Sequence, residues 1–272
     1  MDRTNLLGRP LTAFWAIARA RFLSLLQYRT AAAAGAFTQI VFGLIRIMIF
    51  EAFYRSSVGD QPLTLEQTIT YIWLGQALFA LQPYTIDADL RNGIMTGGVV
   101  FDLVKPLNLH SFWLARSVSN RLAPCLLRIL PVLIFASFYG LKPPGGWYEG
   151  CAFGLALFGA LAVSSALSTL ISTTLIWTIA GDGVSRLFVA MSYLFSGLII
   201  PLALFPDWAQ SLLAILPFRA MADTPFNAYL GRIPPNELGM ALAHQWGWAI
   251  GLALFGRWIT GRAVRRIVTQ GG

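Results

Sequence analysis

Charge is scarce in this chain. Asp, Glu, Lys and Arg together make up 12% of 272 residues, about half the share of an ordinary soluble domain. With 56% hydrophobic residues and a mean hydropathy of +0.63, this scarcity argues against a water-facing globule and makes the lipid bilayer the expected solvent. Cysteine and histidine are scarcer still. Cys125 and Cys151 fall near opposite faces of the membrane in the layout below, too far apart for a disulfide. His110 and His244 lie in different loops with no C-x-x-C or H-E-x-x-H partner, so no metal ligand set is visible. A phosphate-binding GxxxxGK(S/T) loop and a Rossmann glycine fingerprint are both missing, so any nucleotide belongs on another chain. No G-x-S-x-G elbow is present to raise a nucleophilic serine. Asp87 and Asp89 have no second acidic cluster with which to hold a magnesium diphosphate. Residues 1–28 carry arginines but no long apolar core or small-residue cleavage site, so they do not read as a secretory signal.

What the sequence does have is apolar length. A bilayer crossing needs about 20 apolar residues, and the pattern predicts six: about 31–53, 68–86, 122–141, 150–179, 187–204 and 239–259. Before them, over 10–28, Leu11, Phe14, Trp15, Ala18, Phe22 and Leu25 recur at spacings of three and four. This predicts an amphipathic helix lying in the membrane interface, with Pro10 near its start. Arg46 interrupts the first span and is expected to face the protein interior or to snorkel outward, with Glu51 nearby. The fourth span carries two rows of small hydroxyl residues at four-residue spacing, Ser164, Ser168 and Ser172 beside Ser165, Thr169 and Thr173, which suit close helix packing. Between the fifth and sixth spans, residues 205–238 are amphipathic and broken by Pro206 and Pro217, which predicts short re-entrant helices.

Basic residues set the orientation. Of the 20 Lys and Arg residues, four (Arg55, Lys142, Arg219 and Arg232) fall in loops on one side, Arg46 lies within a span, and the rest fall on the other side. That side is the cytoplasm by the positive-inside bias, with both termini in it. The formal charge of +8 thus reads as topology rather than as a nucleic-acid surface. Trp73, Trp147, Tyr148, Trp208 and Trp246 fall near expected interfaces, as an aromatic belt does.

The most polar inner segment joins spans two and three. It reads DADLRNGIMTGG, with acids ahead of arginine and glycine, then DLVKPLNLHSFWLAR, a Leu-x-x-Pro turn leading into a helix. With the order of elements around it, this segment resembles the permease subunits of the ABC-2 family of ATP-binding-cassette transporters. It looks most like the bacterial branch that pairs two related permeases with one ATPase. The resemblance implies one transmembrane domain over 1–272 and an all-α membrane protein. It implies a cytoplasmic coupling helix between spans two and three that seats on an ATPase subunit, with Asp87, Asp89, Arg91 and Lys105 transmitting its closure. Gly93, Gly97, Gly98 and Pro106 would shape the turns. It further implies a second permease protomer, identical or paralogous. ATP and magnesium would sit on the partner, with no cofactor in this chain. The exported compound would be amphiphilic or hydrophobic and pass between protomers. In relatives, spans two and five line that path, which selects Gln76, Phe79, Gln82 and Tyr84 with Tyr193, Phe195 and Ser196. The contrasting class is an ion-coupled secondary transporter, which calls for intramembrane carboxylates or broken helices in two matching halves. Glu51 is the acid that comes nearest, close to a span end, and no half-to-half repeat is evident.

Overall fold

The computed structural model describes residues 5–57, 59–83, 86–105, 107–178 and 182–270. Among them are eleven α-helices and no strand. In order they are α1 (Asn5–Leu25), α2 (Arg29–Ser56), α3 (Leu65–Ala77), α4 (Ala88–Met95), α5 (Val100–Leu103), α6 (Leu109–Phe138), α7 (Trp147–Thr178), α8 (Asp182–Phe195), α9 (Asp207–Ile215), α10 (Asp223–Tyr229) and α11 (Pro235–Gln270). Four of them, α2, α6, α7 and α11, are long and apolar enough to cross a membrane. The second and fifth expected spans are the shorter elements. At 1.5 Å per residue, α3 and α8 cover about 20 Å each against a hydrocarbon core of about 30 Å.

The helix at the second span begins where a capping box places it. Thr64 Oγ1 accepts from the Gln67 amide at 3.2 Å, and the Thr64 amide donates to Gln67 Oε1 at 3.1 Å. It does not run on to residue 86 as expected. The α-helix stops at Ala77, one 3-10 turn covers Phe79–Leu81, and Gln82 is extended with φ −71° and ψ 149°. Pro83 accounts for the last of these, because its ring excludes Gln82 from the α region and no helical path runs on to residue 86. The third span errs the other way. Asn108 caps α6 by accepting from the Ser111 amide at 2.9 Å, so the helix starts well before residue 122 and reaches about 45 Å. Its first turns therefore extend beyond the hydrocarbon and carry Arg116, Asn120 and Arg121.

The core lies between α7 and its neighbours. Ala152, Ala156, Ala160 and Val163 of α7 are buried, which lets α11 come close. Buried Gln245 of α11 crosses that seam and donates to the carbonyls of Ala156 at 3.0 Å and Ala220 at 2.8 Å. The hydroxyl rows of α7 are buried too. Thr169, Ser172 and Thr173 donate to the carbonyls four residues back, Ser117 donates to Ser165 O, and Ser164 donates to Leu81 O. Ser168, Thr169 and Ser172 also border a cavity described below. Trp73, expected at an interface, is instead fully buried. It packs against Gly43, where a Cβ would meet the indole at 2.5 Å, and its Nε1 donates to Tyr139 O at 2.8 Å. Trp147, Trp208 and Trp246 are exposed. Both cysteines are free.

Residues between α8 and α11 form short helices, as expected for a re-entrant segment. Buried Asp223 anchors them. It accepts from Tyr71 Oη at 3.3 Å and lies 3.8 Å from Arg219, while its amide donates to Ser196 O. Gly197 makes this approach possible, with φ +86° and Tyr71 Oη where a side chain would stand.

Candidate functional site

The polar segment between α3 and α6 folds into a cluster that joins three helices. Asp87 caps α4, its Oδ1 accepting from the Asp89 amide at 3.0 Å. Arg116 and Asn120, four apart on α6 and so on one face, both reach it. Arg116 Nε and Asn120 Nδ2 donate to Asp87 Oδ2 at 2.8 and 3.0 Å, and Arg116 Nη2 donates to Asp89 Oδ2 at 2.8 Å. From α1, Arg21 donates to Asp89 Oδ2 at 3.0 Å and to Asn120 Oδ1 at 2.9 Å, and lies 3.6 Å from Asp87 Oδ1. Two carboxylates therefore face two guanidiniums. Burial alone would raise the Asp87 carboxyl. The charge of Arg116, the hydrogen bonds from Arg116 and Asn120, and the charge of Arg21 outweigh it and hold the group below its ordinary 3.8.

Beneath the cluster lies a cavity of about 380 Å³, lined by Arg21, Asp87, Trp113, Ser117, Asn120, Arg121, Ser168, Thr169 and Ser172 among others. Arg121 is buried, and its Nη2 donates to Ser168 Oγ. The cluster therefore ties the start of α4 to α1 and to the N-terminal part of α6, with α7 across the cavity.

Beyond α4 the chain turns back. Gly97 takes φ +77°, the left-handed conformation glycine adopts without penalty, and the Val99 amide closes onto Gly93 O at 2.9 Å. Gly93 itself lies within α4 and Gly98 beside the turn, so of the three glycines only Gly97 needs positive φ. Lys105 pairs with Asp102 at 2.6 Å and lies over the Phe112 ring. Arg91 is on the exposed side of α4. Pro106 lies outside the described residues. Val99 and Leu90 are buried against Leu109, Phe112 and Trp113, with Phe14 and Ile17 of α1 alongside. Met95, Val100, Phe101 and Val104 point outward, Phe101 and Val104 at 76% and 81% exposure.

The residues expected along a substrate path are brought together only in part. Phe79 and Tyr193 stack at 5.7 Å, uniting α8 with the 3-10 turn after α3. Phe195 instead packs on Phe218 at 5.9 Å. Ser196 is buried, its hydroxyl accepting from the Leu198 amide. Gln82 is buried and donates to Met221 O at 3.4 Å. Gln76, with its amide oriented to satisfy its neighbours, donates to Gln39 Oε1 at 2.5 Å and accepts from Arg46 at 3.3 Å. Tyr84 lies outside the described residues. Arg46 faces inward as expected, but its partner is Leu198 O at 2.7 Å; Glu51 pairs with Arg55, one turn along α2.

Arg21 and Asn120 were not singled out from sequence. Their signal was present only as an arginine on the polar side of an amphipathic helix and an asparagine within α6. Which carboxylates they meet depends on contacts 68 and 33 residues apart in sequence.

No curated protein and no solved structure matches this chain. A family model described as "ABC-2 family transporter protein" matches residues 33–271. The match runs from within α2 through α11 and includes Asp87, Asp89 and Arg116 of the cluster; α1, with Arg21, lies ahead of it. This chain belongs to the ABC-2 family of transporter proteins, as a membrane-embedded permease component of an ABC transporter.

Proposed function

We propose that the chain is the transmembrane half of an exporter that moves an amphiphilic or hydrophobic compound out of the bacterial cytoplasm. ATP and magnesium are bound by a separate ATPase subunit, and a second permease protomer completes the path. In this reading the broken α3 and the short α8 complete a six-span layout with both termini cytoplasmic. The observation that carries it is the charge cluster: Asp87 and Asp89 at the start of α4 are tied to Arg21 of α1 and Arg116 of α6. The exposed apolar tip around Phe101 and Val104 suits a groove on the ATPase, and Arg91 lies on the exposed side of the adjoining helix. When the ATPase closes, force on this tip passes through the salt bridges into two helices at once. Packed helices respond by a small rigid-body shift between two discrete arrangements.

The test is reconstitution with an ABC ATPase subunit that copurifies with the chain. Arg91→Glu and Phe101→Asp are expected to leave membrane insertion intact while abolishing transport and its stimulation of ATP hydrolysis. Transport by the chain alone, driven by a proton gradient without nucleotide, would sink this reading and favour a secondary transporter.

A further inference from the structure

A second cavity, of about 390 Å³, lies between the C-terminal half of α2 and the segment that follows α8. Its size falls within the range of about 300–1,000 Å³ common for small-molecule pockets. The walls are apolar, with Ile49, Phe50 and Phe53 on one side and Ile199, Ile200 and Leu204 on the other. The exception is Arg46, which also lines it. Arg46 Nη1 donates to Leu198 O at 2.7 Å and to Gln76 Oε1 at 3.3 Å, so neutral partners hold the side chain in place. No described residue accepts from Nε or Nη2, and neither atom is sealed in protein. Glu51, the acid on the same helix, pairs with Arg55 instead.

Depth makes this arrangement costly. Arg46 lies seven residues before residue 53, the expected outer limit of the span, which is about 10 Å at 1.5 Å per residue. Helical side chains lean toward the N-terminus, away from that limit, and the two Nη1 bonds keep the group from reaching the interface. A guanidinium left in hydrocarbon without a counter-charge is expensive. An anion on its open edge offsets the cost and makes the charge-assisted, forked pair that arginine favours. The headgroups of bilayer lipids stand at the interface, so the anion has to enter the protein, and the apolar walls require it to carry an apolar chain.

We propose that this cavity binds an anionic amphiphile, its charged head on Arg46 and its chain along Phe50, Phe53 and Ile200, and that this amphiphile is the transported compound. Gln76, expected along the substrate path, touches the same guanidinium. Naming the occupant as cargo rests on the transport reading above; its binding does not.

The full chain in phosphatidylcholine nanodiscs is titrated with radiolabelled hexadecyl phosphate, and binding is counted in excess of protein-free discs. Binding should saturate and be displaced by unlabelled hexadecyl phosphate at least tenfold more effectively than by hexadecanol. Arg46→Gln should weaken it about tenfold, the effect of losing one charge-assisted hydrogen bond, and Arg46→Lys should restore much of it. Ile200→Trp, which fills the groove and keeps the charge, should weaken it as well. Arg55→Gln, which removes an arginine 83% exposed on the same helix, should leave it unchanged. The site is overturned if Arg46→Gln and Arg55→Gln bind alike, if hexadecanol competes as well as the phosphate, or if discs of phosphatidylglycerol abolish the signal, which would assign the cavity to bilayer lipid. With the ATPase added, transport of hexadecanol but not of hexadecyl phosphate would overturn the cargo assignment. Absence of all transport beside Arg46-dependent binding would support the site and count against the transport reading alone.

Discussion

Asp87 is the residue on which the cluster turns, because it caps a helix and faces two arginines and an amide together. Asp87→Ala leaves Arg116 and Arg21 sharing the more exposed Asp89, and should lower stability by about 1–3 kcal/mol, read as a fall in the detergent-solubilised unfolding midpoint. Its pH signature has a definite sign. The folded-state carboxyl titrates below its ordinary 3.8, so its contribution is fully present above that ordinary value and is lost as pH falls through the depressed one. Stability should therefore be insensitive to this group between about pH 5 and pH 7. Below that range the parent should lose more stability than Asp87→Asn, and equal acid profiles for the two would contradict the geometry. Gly43 makes a second residue-scale case. Gly43→Leu drives a side chain into the buried Trp73 ring and should cost about 1–3 kcal/mol by overpacking, with the Trp73 environment visible in tryptophan fluorescence.

At the scale of elements, helix limits decide how the site is built. Because α6 begins at its Asn108 cap, about three turns of helix stand ahead of Asn120 and present Arg116 to Asp87. The sequence showed a helix after the Leu-x-x-Pro turn and a span from about residue 122, but not that the two are one continuous helix, since hydropathy reports where a helix meets lipid while capping reports where it begins. The second span shows the converse. Its hydrophobic run was legible, but the run did not show that the α-helix gives way at Ala77 to a 3-10 turn and then to Gln82, which Pro83 keeps extended. The capping box at Thr64 gives a direct test. Thr64→Ala should cost about 1 kcal/mol and Thr64→Ser should retain most of it, as measured by the unfolding midpoint.

For the whole molecule, the open question that experiment can close most directly is topology. The loop joining α6 to α7 carries Gly145, whose backbone does not need positive φ. Gly145→Cys in a Cys151→Ser background should react with a membrane-impermeant maleimide added to intact cells, because the arginine distribution places this loop outside. Buried Cys125 should stay unreactive until the chain is denatured. Labelling of Gly145→Cys only after the membrane is opened would reverse the assigned orientation.

The sequence by itself determined the solvent, the helical class, the long apolar helices and the segment from Asp87 to Arg116 that carries the family resemblance. These follow from local quantities, since apolar length, charge placement and turn residues act within a few residues of themselves. Only the tertiary structure decided which arginines meet Asp87 and Asp89, that Trp73 is core rather than interface, and that Phe101 and Val104 point outward. Those outcomes rest on contacts between helices distant in sequence. A hydrophobic pattern favours burial without choosing the partner, and a charge is placed by whichever opposite charge the packed helices bring within reach.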